Sequence, residues 1–173
     1  YFGNMDGIYS TIDFKKEIND YDLKKYYTTY YNFPYDVSIS DDKVVYSLFD
    51  LNDDGEIYQA VKCYDIISNS VKIIDRRSEI DGFFSSPYIE NDRIVYSYAV
   101  FRENSYLTDS EVYIYDLKND TSIKLEGDQF INPKLLGDYV VAEKRNDGDV
   151  NGMTCYVYNI KKNQWSETWS RES

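Results

Sequence analysis

The 173-residue sequence contains no histidine, two cysteines, three prolines and eight glycines. Without an imidazole, the commonest general base, the Ser-His-Asp arrangement and most transition-metal sites are removed. Two distant cysteines cannot build a structural zinc site, and no glycine-rich phosphate loop is present. No apolar run has the length a bilayer span needs. Positive charge is scarce: 19 Lys and Arg face 31 Asp and Glu, for a net charge of -12. A surface so anionic repels phosphate backbones and anionic lipid headgroups, which argues against nucleic-acid and membrane-surface binding, while the lack of an apolar span argues against membrane insertion within this segment. No charged-then-apolar leader precedes Tyr1, so the chain reads as an excised domain or a processed product.

What the chain does have is a repeat. Val112-Tyr-Ile-Tyr-Asp-Leu-Lys-Asn-Asp-Thr-Ser-Ile-Lys-Leu125 is its clearest copy. Cys63-Tyr-Asp-Ile-Ile-Ser-Asn-Ser-Val-Lys-Ile-Ile74 precedes it, and Tyr156-Val-Tyr-Asn-Ile-Lys-Lys-Asn-Gln-Trp165 follows it. A faint first copy is Ile12-Asp-Phe-Lys-Lys-Glu-Ile18. Asp13, Asp65, Asp116 and Asn159 mark one position, at steps of 52, 51 and 43 residues. A second marker runs in the same order: Asp41-Asp-Lys-Val-Val-Tyr-Ser47, Asn91-Asp-Arg-Ile-Val-Tyr-Ser97 and, more loosely, Gly137-Asp-Tyr-Val-Val-Ala-Glu143. Each follows a proline, Pro34, Pro87 or Pro133. A period near fifty residues means stacked supersecondary units, since one such unit cannot bury both of its faces alone.

Each unit reads as four strands. A short aromatic strand ends at its proline, which cannot donate to a ladder. Asn91-Asp92 and Gly137-Asp138 mark the following turn, where positive φ is easily adopted. In the middle unit the second strand covers Arg93 to Phe101, the third Glu111 to Asp116 and the fourth Thr121 to Leu125. Apolar or aromatic residues fill most positions, the pattern of a sheet packed on both faces. Four-stranded antiparallel sheets stacked face to face are β-propeller blades, so the expected fold is all-β. A β-sandwich gives no reason for the period. In the first segment the helical spacing of Phe14, Ile18 and Tyr21 competes with a two-strand reading.

Residues 1–26 then supply part of a blade, and 27–77, 78–128 and 129–173 a blade each. About three and a half blades would leave open sheet edges and unburied faces. The propeller is thus incomplete, or completed by missing chain or by self-association; two copies would make seven blades.

Ser86-Pro-Tyr-Ile-Glu-Asn-Asp-Arg-Ile-Val-Tyr-Ser97, followed by Glu111 to Leu125, resembles the repeat of TolB-like bacterial β-propellers. The resemblance covers residues 8 to 170. It departs from that family's Ser-Pro-Asp-Gly turn at Tyr88-Ile89-Glu90 and lacks its closing Leu-Thr. It implies a six- or seven-bladed, usually extracytoplasmic module, at the cell surface or secreted, that binds proteins or shapes access to an attached enzyme. These marks are structural and transfer no active site.

Candidate sites are few. Asp50, Asn52 and Asp54, followed by Gly55, have the spacing of calcium-loop positions 1, 3, 5 and 6, but Val61 stands where the bidentate glutamate belongs. The competing reading is a polar hairpin loop, with no cofactor. Tyr30 and Tyr31, in a run from Tyr26, and Phe83 and Phe84 fall near the innermost strands. There rings can stack on sugars, hold a peptide, or simply pack between blades. Arg76 and Arg77, the only adjacent arginine pair, link two blades and suit surface ion pairs or a carboxylate. Cys63 and Cys155 fall in equivalent strands two units apart. They suit buried thiols better than a disulfide, which needs Cα atoms within about 7 Å. The function expected is a non-enzymatic module binding protein or peptide. The alternatives are a propeller gating a hydrolase domain, as in prolyl oligopeptidase-like enzymes, and a glycan-binding module using tyrosine rings.

Overall fold

A computed structural model describes residues 37–51, 57–78, 82–85, 87–100, 109–127, 129–145 and 152–171. The described residues are all-β, in three antiparallel sheets that do not close into a ring. The first blade is β1 (Ser38–Ser40), β2 (Lys43–Leu51), β3 (Ile57–Asp65) and β4 (Ser70–Arg77), hydrogen-bonded in that order. The second holds β5 (Gly82–Phe84), β6 (Tyr88–Glu90), β7 (Arg93–Val100), β8 (Asp109–Asp116) and β9 (Thr121–Lys124). The third runs β10 (Phe130–Leu136), β11 (Tyr139–Arg145), β12 (Met153–Asn159) and β13 (Gln164–Arg171), again in order.

The innermost strand departs from the single aromatic strand expected. In the second blade it is two pieces, since β5 and β6 both pair with β7 on either side of Pro87. In the third blade the β10–β11 register shifts between Ile131 and Lys134, around Pro133. Proline has no N–H to give a ladder, and it occupies the same interruption in both blades, fully buried.

Burial on both faces follows from the composition of β7. Ile94 through Ala99 are all buried, and the pleat sends alternate residues to opposite sides. Ile94, Tyr96 and Tyr98 join Val45, Val61 and Cys63 of the first blade, with Phe84, Ile89 and Tyr115, in one core. Val95 joins Val112, Ile114 and Leu125 against Phe130, Leu135, Val140, Ala142 and Tyr158 of the third blade in another. The hydrophobic cores are therefore the spaces between blades.

The two sequence markers are both turns. Asp41, Asn91 and Gly137 open the two-residue loops of the first hairpin in each blade, at φ of 53°, 55° and 57°. Aspartate, asparagine and glycine are the residues that visit this left-handed region at least cost. The later hairpin has a four-residue loop ending on Asn69, Asp120 or Asn163, at φ of 51°, 54° and 53°. At its start the Asp65 carboxylate accepts from Ser68 N at 2.7 Å, Asp116 from Lys118 N at 2.9 Å and Asn119 N at 3.0 Å, and the Asn159 side-chain oxygen from Lys162 N at 3.0 Å. The preceding tyrosine closes the loop. Tyr64 donates to Asn69 at 2.7 Å, and Tyr115 and Tyr158 donate to Asp120 and Asn163. The Tyr-Asp phrase is thus a turn cap joined to a phenol clasp. The two hairpins of each blade are also tied together, by Ile66 N to Asp42 O at 2.8 Å, Leu117 N to Asp92 O at 2.8 Å and Ile160 N to Asp138 O at 3.0 Å.

Candidate functional site

Among the described residues, a charged polar cluster lies at the junction of the first two blades and centres on Arg77. This residue ends β4, so its side chain crosses to strands of the next sheet. Its Nη2 donates to Tyr113 Oη at 3.1 Å and to Asp75 Oδ2 at 3.3 Å. Its guanidinium stands 5.2 Å from the Tyr98 ring centroid and 5.6 Å from that of Tyr113, within cation–π range of both. Tyr113 stacks on Tyr96 at 5.4 Å, and Tyr96 donates to Asp75 at 3.2 Å. Tyr113 and Lys124 both donate to Glu111.

Two cations, Arg77 and Lys124, therefore meet two carboxylates, Asp75 and Glu111. The Lys124 ammonium, then the Tyr113 hydroxyl, hold the Glu111 carboxyl below its ordinary range. Burial, then the bond to Glu111, raises the Tyr113 phenol. Burial likewise pushes the Tyr96 phenol up. These groups satisfy one another across the junction, and an incoming carboxylate would meet two of its own kind. The cluster acts as a clasp between blades. Arg77 Nε is buried without a partner among the described residues.

The structure brings together residues that the sequence singled out separately. Phe84 is buried, 5.0 Å from the Tyr98 ring and 5.8 Å from Tyr96, the same rings that surround Arg77. Phe83 is half-buried on β5. Arg76 is exposed and stands 5.8 Å from the Tyr58 ring. Tyr30, Tyr31, Asn52 and Asp54 lie outside the described residues, as do the blade portion 1–26 and the helix-or-strand choice for Phe14 to Tyr27; Asp50 lies on β2. Among the described residues no three His, Cys, Asp or Glu converge to hold a metal. Neither cysteine is in a disulfide; burial pushes Cys63 up to about 11, while Cys155 is half-buried. No helix among the described residues is long and apolar enough to cross a membrane.

Sequence reasoning missed Gln59. It is buried on β3, donates from Nε2 to Gly82 O and accepts Phe84 N at 3.3 Å, so one side-chain amide joins β3 to β5 of the next blade. A glutamine amid an apolar strand was the available signal.

The second recurring feature is the seat that one blade offers the next. Lys72 on β4 lies 2.7 Å from Asp120 and 5.3 Å from the Tyr115 ring, gripping the clasp of the second blade. Lys43 lies 3.8 Å from Asp92, and Arg93, at the equivalent position, lies 3.9 Å from Asp138. Glu90 accepts from Gly137 N at 2.7 Å. The third blade carries Tyr139 at the Lys43 and Arg93 position. With Val157, Asn159, Lys162, Gln164 and Ser166 it lines an open depression of about 180 Å³ on the far face.

No protein-family model matches the chain, and no curated protein does. Solved β-propeller structures do. The β-propeller domain of the Trilobed protease from Pyrococcus furiosus, described as having an open velcro topology, superposes with a TM-score of 0.59 at 14% identity, covering 81% of this chain and 43% of that one. Acylaminoacyl peptidase from Pyrococcus horikoshii gives 0.55 at 17%, covering 83% and 26%. TolB from Acinetobacter baumannii gives 0.52 at 16%, covering 76% and 31%. The fold is that of a β-propeller. This chain spans less than half the length of each of these structures. The matches correct the expectation of a non-enzymatic module, because two of these propellers belong to a protease and a peptidase. The missing imidazole says which group this segment lacks; it does not say what the propeller is joined to.

Proposed function

We propose that this chain is part of the propeller of a peptidase-type hydrolase, where the blades limit which peptides reach a catalytic unit outside this segment. The observation that carries the reading is the superposition on acylaminoacyl peptidase, which covers 83% of this chain but only 26% of the enzyme. A histidine-free sequence agrees with it, since the base of an acyl-transfer site would come from the other unit. The described polar cluster agrees as well: its charges are matched internally, so its role is to hold blades at a fixed spacing. The ligand on this reading is a peptide or protein segment. The TolB-type repeat and the likeness to TolB support an extracytoplasmic setting for it.

The intact gene product should be labelled by a fluorophosphonate probe and should cleave an N-acetyl-aminoacyl p-nitroanilide. A product neither labelled nor active would overturn the reading. Fractionation of cells bears on the setting: recovery in the cytoplasmic fraction alone would remove the extracytoplasmic part and leave the peptidase part standing.

A further inference from the structure

We propose that the two blade junctions carry different matched residues, and that this difference fixes the order in which the blades dock. The inference does not depend on the peptidase reading. It rests on positions that are equivalent in the repeat and that change together on the two sides of a junction.

The seat residue on the fourth strand is Lys72 in the first blade, opposite Cys63, and Ile123 in the second, opposite Ile114. Cys63 lies in the core shared with the second blade and Ile114 in the core shared with the third, so both seats face the following blade. Lys72 grips the clasp of Tyr115 and Asp120, while the third blade closes its clasp on the neutral Asn163. Deeper in, Asp75 stands opposite Val61 and accepts the Tyr96 hydroxyl at 3.2 Å. At the second junction the Leu125 N–H bonds to the carbonyl of Val112, the counterpart of Val61, and Ala142 takes the place of Tyr96. Leu125 and Ala142 are buried in one core. Toward the other rim, Arg77 packs on Tyr98, which pairs opposite Phe84. In the third blade the residue opposite Phe130 is Lys144.

The blades need such discrimination because their turns are alike, each with a tyrosine clasp and the same two left-handed turn positions. Docking of like units in the wrong order is a characteristic failure of repeat proteins. Set on the first blade's seat, the third blade would turn Asn163 toward Lys72, the Ala142 methyl toward Asp75 and the Lys144 ammonium toward Arg77. The ion pair and the phenol bond would be lost, a void would stand in place of the Tyr96 ring, and two cations would meet. Set on the second blade's seat, the first blade would bring Tyr46, at the Tyr96 position, against Leu125, with an aliphatic chain in place of Asp75. Each junction favours its own partner and opposes the wrong one, which is how specificity between similar surfaces is obtained.

The outer positions test this, because Lys72, Asp120, Ile123 and Asn163 are exposed and the substitutions use residues the repeat already carries there. A uniform variant of the intact protein, Lys72→Ile with Asp120→Asn, gives both junctions an aliphatic seat and a neutral clasp. A swapped variant adds Ile123→Lys and Asn163→Asp, so the junctions differ again with their pairs exchanged. Refolding from urea is followed by pulsed hydrogen exchange and mass spectrometry of the β7–β9 segment, with a prolyl isomerase present to remove X-Pro phases. In the uniform variant the slowly protected fraction of that segment should rise about two- to fivefold, the range over which an exposed ion pair shifts a partition. The swapped variant should return to the unsubstituted level. A uniform variant that refolds like the unsubstituted protein overturns the proposal, as does a swapped variant as slow as the uniform one.

Discussion

Gln59 and Gly82 belong to different blades, yet the Gln59 amide reaches the Gly82 carbonyl and receives the Phe84 N–H in return. A buried side chain here replaces a missing ladder bond between sheets. Gln59→Leu keeps the volume but leaves a buried carbonyl and a buried N–H without partners. It should cost about 1–3 kcal/mol, read as a lower midpoint in urea unfolding.

The close approach at Gly82 gives a second test. A Cβ there would lie 2.6 Å from the Ala99 carbonyl oxygen and 2.7 Å from the Tyr98 ring. Gly82→Ala should therefore cost about 1–3 kcal/mol through overpacking. Gly137 differs, with positive φ but nothing near an added Cβ, and its counterparts are Asp41 and Asn91. Gly137→Asn should leave thermal stability nearly unchanged, and a large loss would show that the three turns are not equivalent.

Across the first junction, Lys72 and Asp120 are both well exposed, so their ion pair should contribute only about 0.2–1 kcal/mol. A double-mutant cycle with Lys72→Ala and Asp120→Ala measures this coupling. The coupling should shrink in high salt, as screening requires.

Acid should loosen the later hairpins. Backbone and side-chain donors of Asn119, then the Lys118 N–H, hold the Asp116 carboxyl below its ordinary range, and Ser68 does the same for Asp65. A carboxyl depressed on folding stabilises above its unfolded value, and that contribution disappears as pH falls through the folded value. Asp116→Asn should flatten the fall of Tm below pH 4 or so, relative to the unsubstituted chain.

The thiols predict the opposite limb. Burial raises Cys63 to about 11, so above its unfolded value the unfolded chain loses a proton that the folded chain keeps. Stability should decline from about pH 9 upward, and Cys63→Ala should remove that part of the decline. Under native conditions iodoacetamide should modify the half-buried Cys155 well before the buried Cys63.

The blades were legible because Asp65, Asp116 and Asn159 do the same local work three times. Turn caps involve residues close in sequence, so their spacing shows in the chain. Asp41, Asn91 and Gly137 were readable for the same reason. The clasp around Arg77 was not. Its partners, Tyr98, Tyr113 and Glu111, come from strands of the next blade, and blade-to-blade register leaves no local mark. For Phe84 the area of the ring favours packing between blades over stacking on a ligand. Its neighbours there, Tyr96 and Tyr98, leave no mark in the local sequence.

Both hairpins at one end of every blade have fixed loop lengths and are stitched together by the bonds from Ile66, Leu117 and Ile160. At the opposite end the links joining β2 to β3, β7 to β8 and β11 to β12 are five, eight and seven residues long. Length is held constant on one rim and varies on the other. Diversification of this chain, by selection or by grafting, has an address: the rim whose links already differ in length, while the stitched one keeps the petals in step.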